Sequence, residues 1–261
     1  MFPFCLFIWG PGEILTFIIT EEFYMVDKFE NGLGELGITL SSDQRKQFDR
    51  YYELLVEWNK VMNLTGITDY DEVNLKHFID SLTVVKIIDM NSVKKVIDVG
   101  TGAGFPGIPL KIAFPELEIV LLDSLNKRGK FLNEVIGELG LKKITAIHGR
   151  AEDIAKNKSY REQFDLCVSR AVANLSTLCE YSLPFLWISG SFVSYKGEFS
   201  ENEIQQAERA VKVLGGKISE TKKFKLPGTD MGRSLIKIDK VNKTSSKYPR
   251  KAGLPAKEPI Q

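Results

Sequence analysis

The chain has 261 residues, 43% of them apolar and 26% charged, the composition of a folded globule rather than a disordered segment. Its net charge of +1 is unevenly held: from Lys217 onward twelve Lys/Arg stand against four acids, so that stretch is +8 and the rest −7, which points to an anionic partner at the C-terminal end. Cys5, Cys167 and Cys179 are scattered and His77 and His148 are the only histidines, which excludes a disulfide scaffold and leaves no zinc spacing; no metal is expected, and reduced thiols suit a cytoplasmic protein.

Residues 1–24 are apolar and aromatic, but Gly10-Pro11-Gly12 cuts them into pieces shorter than the about 20 residues of a membrane span. They contain no Lys or Arg, which argues against a secretory signal. No membrane association is expected; translation is expected to start at Met25, with 1–24 a non-native or unusual extension whose removal leaves stability and activity unchanged. A helix is predicted from a serine cap, Ser41 or Ser42, through Leu64, with Phe48, Tyr51, Tyr52, Leu55, Asn59 and Met62 along one stripe. A second spans about 71–88. From there, strand-length apolar runs (VKKVIDVG, LEIVLLD, KKITAIHG, FDLCVSR, GSFVSYKG) alternate with helical stretches (GIPLKIAF, KRGKFLNEVIGELG, LSTLCEYSLPFL, ENEIQQAERAVKVLGG). That alternation predicts an α/β, doubly wound, mostly parallel sheet with helices on both faces. KISETKKFKLP and RSLIKIDKV follow without an intervening helix and read as a terminal antiparallel pair. The division expected is an N-terminal helical region over 25–92, a core over 93–241 and a basic tail over 242–261, the tail extended by its Pro, Gly and Lys.

The corner after the first strand reads DVGTGAGFPGIPL. Gly100, Gly102, Gly104 and Gly107 are more than a turn requires and suggest a backbone that something approaches closely. In a doubly wound sheet, ligands sit at the carboxyl ends of the strands. By itself GxGxxG is shared by nicotinamide and flavin binders. Asp98, two residues before the first glycine, would crowd a pyrophosphate but welcome an amino group. Asp123 closes the second strand, where a carboxylate can accept both ribose hydroxyls. Glu152 and Asp153 follow the third strand, where an adenine would lie, and no Walker lysine follows the glycines. A nucleoside with a ribose diol, an amino-acid tail and no phosphates is S-adenosylmethionine.

DVGTGAGFPGIPL, with HFIDSL upstream and GRAED, VSRAVA and YPRKAGLPAKEP downstream, resembles the glucose-inhibited division protein B family of bacterial small-subunit (16S) ribosomal RNA guanine-N7 methyltransferases. The likeness runs in order from about Met25 to Ile260; residues 1–24 match nothing in it. It implies a class I S-adenosylmethionine-dependent methyltransferase (Rossmann-like) sheet of about seven strands, the last antiparallel, with an N-terminal helical extension. It further implies that Asp98, Gly100, Gly102, Gly104, Phe105, Asp123, Ser124, Ala151 and Glu152 bind the donor and that Arg170 is catalytic at the donor–substrate junction. The residues agree with such chemistry. Ser169-Arg170-Ala171-Val172 stands where exocyclic-amine methyltransferases carry an Asn/Asp-Pro-Pro-aromatic motif, and Cys167 lies inside an apolar strand, unsuited to be a nucleophile. Guanine N7 needs neither device, because it has a free lone pair and no proton to lose. For RNA the candidates are Asn63, which also suits a helix end, Lys196, and Tyr248, Arg250, Lys251 and Lys257 in the tail. His77, a further RNA candidate, and Asp80 read either as cleft residues or as a polar pair joining two helices. A non-catalytic ribosomal RNA-binding protein and a nicotinamide-dependent oxidoreductase are the competing readings. The partner expected is small-subunit ribosomal RNA or a ribosomal particle, and the protein is expected to be a monomer.

Overall fold

The computed structural model describes residues 27–170, 173–197 and 201–261; the expectations for residues 1–24 and Met25 lie outside them. The chain enters through α1 (Lys28–Glu35), capped by the Asp27 side chain. The sequence reading missed this helix because KFENGLGE carries two glycines, poor helix formers. Gly32 has a packing reason: a Cβ there would lie 2.9 Å from Ile79 Cδ1. α2 (Ser42–Met62) starts at the predicted serine with a full capping box between Ser41 and Gln44. Gln44 Nε2 also donates to Ile112 O (2.7 Å), tying the start of α2 to the core.

The single helix expected over 71–88 is broken. It runs as α3 (Tyr70–Val73), a π-helical turn (Asn74–Ile79), α4 (Asp80–Leu82) and a 3₁₀ turn (Thr83–Lys86). Wide turns of this kind are frequent at functional sites, and this one carries His77.

Seven strands form one sheet in the order β3-β2-β1-β4-β5-β7-β6. They are β1 (Lys95–Val99), β2 (Glu118–Asp123), β3 (Ile144–His148), β4 (Phe164–Arg170), β5 (Leu186–Lys196), β6 (Gly216–Lys225) and β7 (Gly232–Lys240). The first five are mutually parallel, and β7 enters antiparallel between β5 and β6. The connecting helices are α5 (Gly107–Ala113), α6 (Asn126–Glu138), α7 (Ala151–Ile154), α8 (Leu175–Ser182) and α9 (Glu201–Val213). The strands and the crossovers between them follow the predicted series.

Side chains alternate between two cores, one on each face of the sheet. Val96, Leu121, Leu166 and Val168 join Phe48, Phe78, Ile108 and Phe131 on the α2–α5–α6 face. Ile97, Leu122, Cys167 and Phe192 join Leu178, Ala207 and Val211 on the α8–α9 face. Cys167 and Cys179 are fully buried, and burial pushes both thiols well up from their usual pKa, as expected for inert core cysteines. Among the described residues no helix is long and apolar enough to cross a membrane.

The tail departs from expectation. Residues after Lys240 are not extended but fold back onto the α8 side, with Thr244 and Pro255 buried and a short helix, α10 (Leu254–Lys257). Tyr248 and Ile260 pack against the second core.

Candidate functional site

The alternation places the key side chains on one face of the sheet. Counting by twos, Asp98 follows Val96 in β1, Asp123 follows Leu121 in β2, and Arg170 follows Val168 in β4. All three emerge at the carboxyl edge, on the side of α2 and α5. Gly102 N donates to Asp123 Oδ2 (2.9 Å), so the glycine corner is tied to the second strand.

Asp98 is fully buried. Its Oδ2 accepts from Thr101 Oγ1 (2.6 Å) and Gly107 N (2.8 Å), while Oδ1 has no partner within the protein. Burial pushes its pKa up to about 7, against the pull of those two hydrogen bonds and of Arg170. A buried carboxylate with an unpartnered oxygen is costly unless a ligand supplies a donor.

Gly102, Gly104 and Gly107 divide into two kinds. A Cβ on Gly104 would lie 2.4 Å from Ile108 Cδ1 and 2.7 Å from Tyr51 Oη, and one on Gly107 would lie 2.3 Å from Leu121 Cδ2. At these two positions the protein's own side chains make a close approach that by itself requires glycine. Gly102 differs: a Cβ there meets nothing nearer than Arg128 Nη1 at 3.9 Å, and its φ of 62° is left-handed. Gly102→Val is therefore expected to fold with a loss of about 1–2 kcal/mol from the strained backbone, yet to abolish binding of any ligand lying on the loop. Gly104→Val should fail to fold. Thermal melts and calorimetry on the two variants check this, and equal melts would overturn the division.

Asp123 is 4% exposed. Besides Gly102 N it accepts from Leu125 N (2.8 Å, Oδ1) and pairs with Arg128 Nη1 (2.9 Å, Oδ2). A carboxylate has about four acceptor positions, so room for a further donor remains on Oδ1. Ser124 is exposed beside it, and Gly149 N donates to Asp123 O (3.0 Å), which brings the third-strand corner alongside. There Ala151 and Glu152, both buried, open α7.

Arg170 ends β4 with its guanidinium 5.0 Å above the Phe105 ring. Its Nη1 pairs with Asp80 Oδ2 (2.8 Å) and also faces the Lys76 and His77 carbonyls (3.3 and 3.4 Å). Asp80 Oδ1 takes Arg233 Nε (2.8 Å), so one buried carboxylate links β4, β7 and the N-terminal helices. His77 stacks on Phe105 at 4.6 Å, and its Nε2 meets Thr65 Oγ1 at 2.7 Å. Desolvation, and then Arg170, lower its pKa to about 4, so it is neutral at physiological pH. His77 and Asp80 are thus both cleft-wall residues and helix fasteners. Asn63 is the exposed, left-handed C-cap of α2 (φ 49°), two residues before Thr65.

The structure does not gather every candidate. Lys196 lies on the opposite face of β5, where it binds Glu203 Oε1 (2.6 Å) and Ala173 O (3.1 Å). Arg250 is held by Glu180, a 1% exposed carboxylate, and so fastens the tail to α8. Lys251 and Lys257 are exposed and Tyr248 is half-buried. Arg233, Tyr51 and Arg128 were missed. Tyr51 Oη donates to Ala103 O inside the glycine corner, a contact 52 residues away in sequence that leaves no local signal. A cavity of about 710 Å³ opens at the other end of the strands, between Asp165, Trp187 and Asp239, and holds none of these residues.

Comparison with known proteins agrees with this geometry. Residues 44–235 match the GidB family model, described as rRNA small subunit methyltransferase G. The chain is 52% identical over 232 residues to a Ribosomal RNA small subunit methyltransferase G of Lachnoclostridium phytofermentans, an alignment covering 89% of this chain and 96% of the relative. It is 52% identical to that of Desulforamulus reducens, over 87% of this chain and 94% of the relative. Among solved structures, the one titled StiE O-MT residues 961-1257 superposes with a TM-score of 0.50 at 14% identity, over 63% of this chain and 74% of that one, a likeness of fold alone. With its seven-strand order, its glycine corner and half-identical relatives over nearly their full length, the chain belongs to the GidB family, the rRNA small subunit methyltransferase G enzymes.

Proposed function

We propose that the protein transfers a methyl group from S-adenosylmethionine to N7 of a guanine in small-subunit ribosomal RNA. The observation that carries the donor assignment is Asp98, buried and with one oxygen unpartnered beside an open Gly102. That pair suits a cationic amino-acid tail and repels a pyrophosphate, which also disfavours the nicotinamide reading. The residues fit the donor in three places: Asp98 and the glycine corner take the methionine end, Asp123 with Ser124 takes the ribose hydroxyls, and Ala151 with Glu152 flanks the adenine.

When bound, S-adenosylmethionine would supply a sulfonium methyl group open to in-line attack by the N7 lone pair, the carbon–sulfur bond breaking as the nitrogen–carbon bond forms, with S-adenosylhomocysteine leaving and the positive charge passing to the base. The chain's part is then alignment and exclusion of water, which for well-oriented reactants contributes on the order of 7–11 kcal/mol. Phe105, between the His77 ring and the Arg170 guanidinium, forms a flat wall, and Arg170 is fixed there by Asp80. No residue is asked to act as general base, because N7 carries no proton. His77 stays neutral with its Nε2 occupied by Thr65. An arginine fork suits guanine O6 or a neighbouring phosphate. On the RNA side, exposed Asn63 and half-buried His77 border the cleft. Exposed Lys247, Lys251 and Lys257, with Tyr248, offer phosphate and stacking contacts, and Lys196 would first have to leave Glu203. The test is transfer of labelled methyl to small-subunit RNA followed by nucleoside analysis. N7-methylguanosine is expected, whereas RNA binding without transfer would favour the non-catalytic alternative.

A pH dependence follows from Asp98. Its carboxyl is held near pKa 7 in the ligand-free protein, and a cationic ammonium needs the carboxylate. Donor affinity is therefore expected to rise as pH increases toward 7, with proton release on binding below that value. It should fall again above about 8, where an α-amino group loses its charge. Calorimetry in buffers of different ionisation enthalpy measures both. An affinity that stays flat from pH 5.5 to 7 would remove Asp98 from the contact.

A further inference from the structure

The C-terminal segment is fastened by polar groups that the protein buries for it. Arg161 Nη1 donates to Tyr248 O (2.9 Å) and its Nη2 to Thr244 O (2.8 Å). The Lys240 ammonium, almost fully buried, meets Thr244 Oγ1, which in turn donates to Leu214 O (2.6 Å). On α8, Glu180 accepts from Arg250 N (2.7 Å), Nε (3.0 Å) and Nη2 (2.8 Å). One turn earlier on the same helix, Thr177 Oγ1 donates to Pro255 O (3.1 Å). Between these two fastenings the backbone N–H of Gly253 donates to Glu152 Oε1 at 2.7 Å.

Two features separate this from a solvated basic tail. A carboxylate as buried as Glu180 is strongly unfavourable without a cation, so α8 and Arg250 require each other. The contact with Glu152 lands on a 3% exposed side chain at the adenine end of the donor cleft, on α7, which packs against α8 on the segment's own side of the sheet. Glu152 has one oxygen held by the segment and the other unconstrained by it.

We propose that residues 244–261 form a strap that fixes the adenine end of the donor cleft, with Arg250 as a positioning residue acting through Glu180 and Gly253 on Glu152. Donor affinity, rather than RNA affinity, then depends on the strap. The inference rests on the donor-site reading above.

Hydrogen exchange on the unmodified protein tests it without any risk of misfolding. Saturating S-adenosylmethionine is expected to slow exchange at Gly253 N–H at least tenfold more than at the β6–β7 amides. Calorimetry is expected to show donor affinity about tenfold weaker in Arg250→Met, with kcat at saturating donor within twofold of wild type and partial recovery in Arg250→Lys. Lys247→Ala/Lys251→Ala/Lys257→Ala is expected to keep donor affinity and to flatten the dependence of RNA affinity on log salt by about 0.7–0.9 per lost phosphate contact. Gly253 exchange indifferent to the donor, or wild-type donor affinity in a folded Arg250→Met, would overturn the strap's role. Equal donor losses in the arginine and lysine variants would overturn it too, since net charge would then be the cause. If the unmodified protein does not bind S-adenosylmethionine, the donor-site reading fails first and the strap's role with it.

Discussion

Arg170→Ala is expected to lower methyl transfer on the order of 10²-fold or more at saturating donor and RNA. The guanidinium covers Phe105 and joins Asp80 to the end of β4, so its loss removes a direct contact and also loosens the wall that orients the reacting groups. A misplacement of about 1 Å is enough for roughly a hundredfold loss. Stability should fall as well. Both partners are largely buried, with side chains 13% and 8% exposed, and breaking such a pair costs about 3–5 kcal/mol. The lower end applies because Arg233 stays on the other Asp80 oxygen. Arg170→Lys should recover part of the stability but little of the rate, because an ammonium cannot reproduce the planar fork. Single-turnover transfer and thermal melts separate the two effects. A folded Arg170→Ala retaining a tenth of the wild-type rate would take Arg170 out of the catalytic group.

Asp123→Ala is expected to weaken S-adenosylmethionine by about ten- to a hundredfold. One charge-assisted hydrogen bond from a ribose hydroxyl to the open position on Oδ1, on the order of 1.5–3 kcal/mol, gives that range. The carboxylate also gathers Gly102 N, Leu125 N and Arg128, so its loss releases the glycine corner and adds a local destabilisation of about 1–2 kcal/mol. Arg128→Met is the control: it removes the ion pair, leaves the carboxylate and both backbone bonds, and should keep donor affinity within a few-fold. Unchanged donor affinity in a folded Asp123→Ala would assign this carboxylate to loop architecture alone.

Much of this was legible in the chain. Apolar runs of strand length gave the five parallel strands, the lack of a helix between the last two segments gave the antiparallel pair, and the period of two explains why Asp98, Asp123 and Arg170 share a face once their strands are adjacent. What stayed hidden depends on contacts between distant positions. Arg233 is 153 residues from Asp80 and sits in a strand whose local sequence says nothing of a cleft. The break at Asn74–Ile79 has no proline or glycine to mark it. The tail was misjudged because Pro, Gly and Lys composition describes a loop without saying what binds it. The clue lay elsewhere: Glu180 is the one charged residue of LSTLCEYSLPFL, and its burial demands a cation from somewhere.

The place of β7 between β5 and β6 also governs how the chain can be made. β6 pairs with β7 alone, and β5 keeps an open edge until β7 arrives. During synthesis at about 5–20 residues per second, Gly232–Lys240 appears only after roughly 10–50 s. From the moment β5 is finished at Lys196 until β7 is finished at Lys240, about 2–9 s at that rate, Phe192, Val193 and Tyr195, buried in the finished protein, lie on a strand with one unpaired side. Such an edge is a template for pairing with another chain. A nascent chain stalled or cut between Lys196 and Gly232 therefore carries an aggregation site that a chain with β7 in place does not have, and synthesis of β7 is itself the step that removes it.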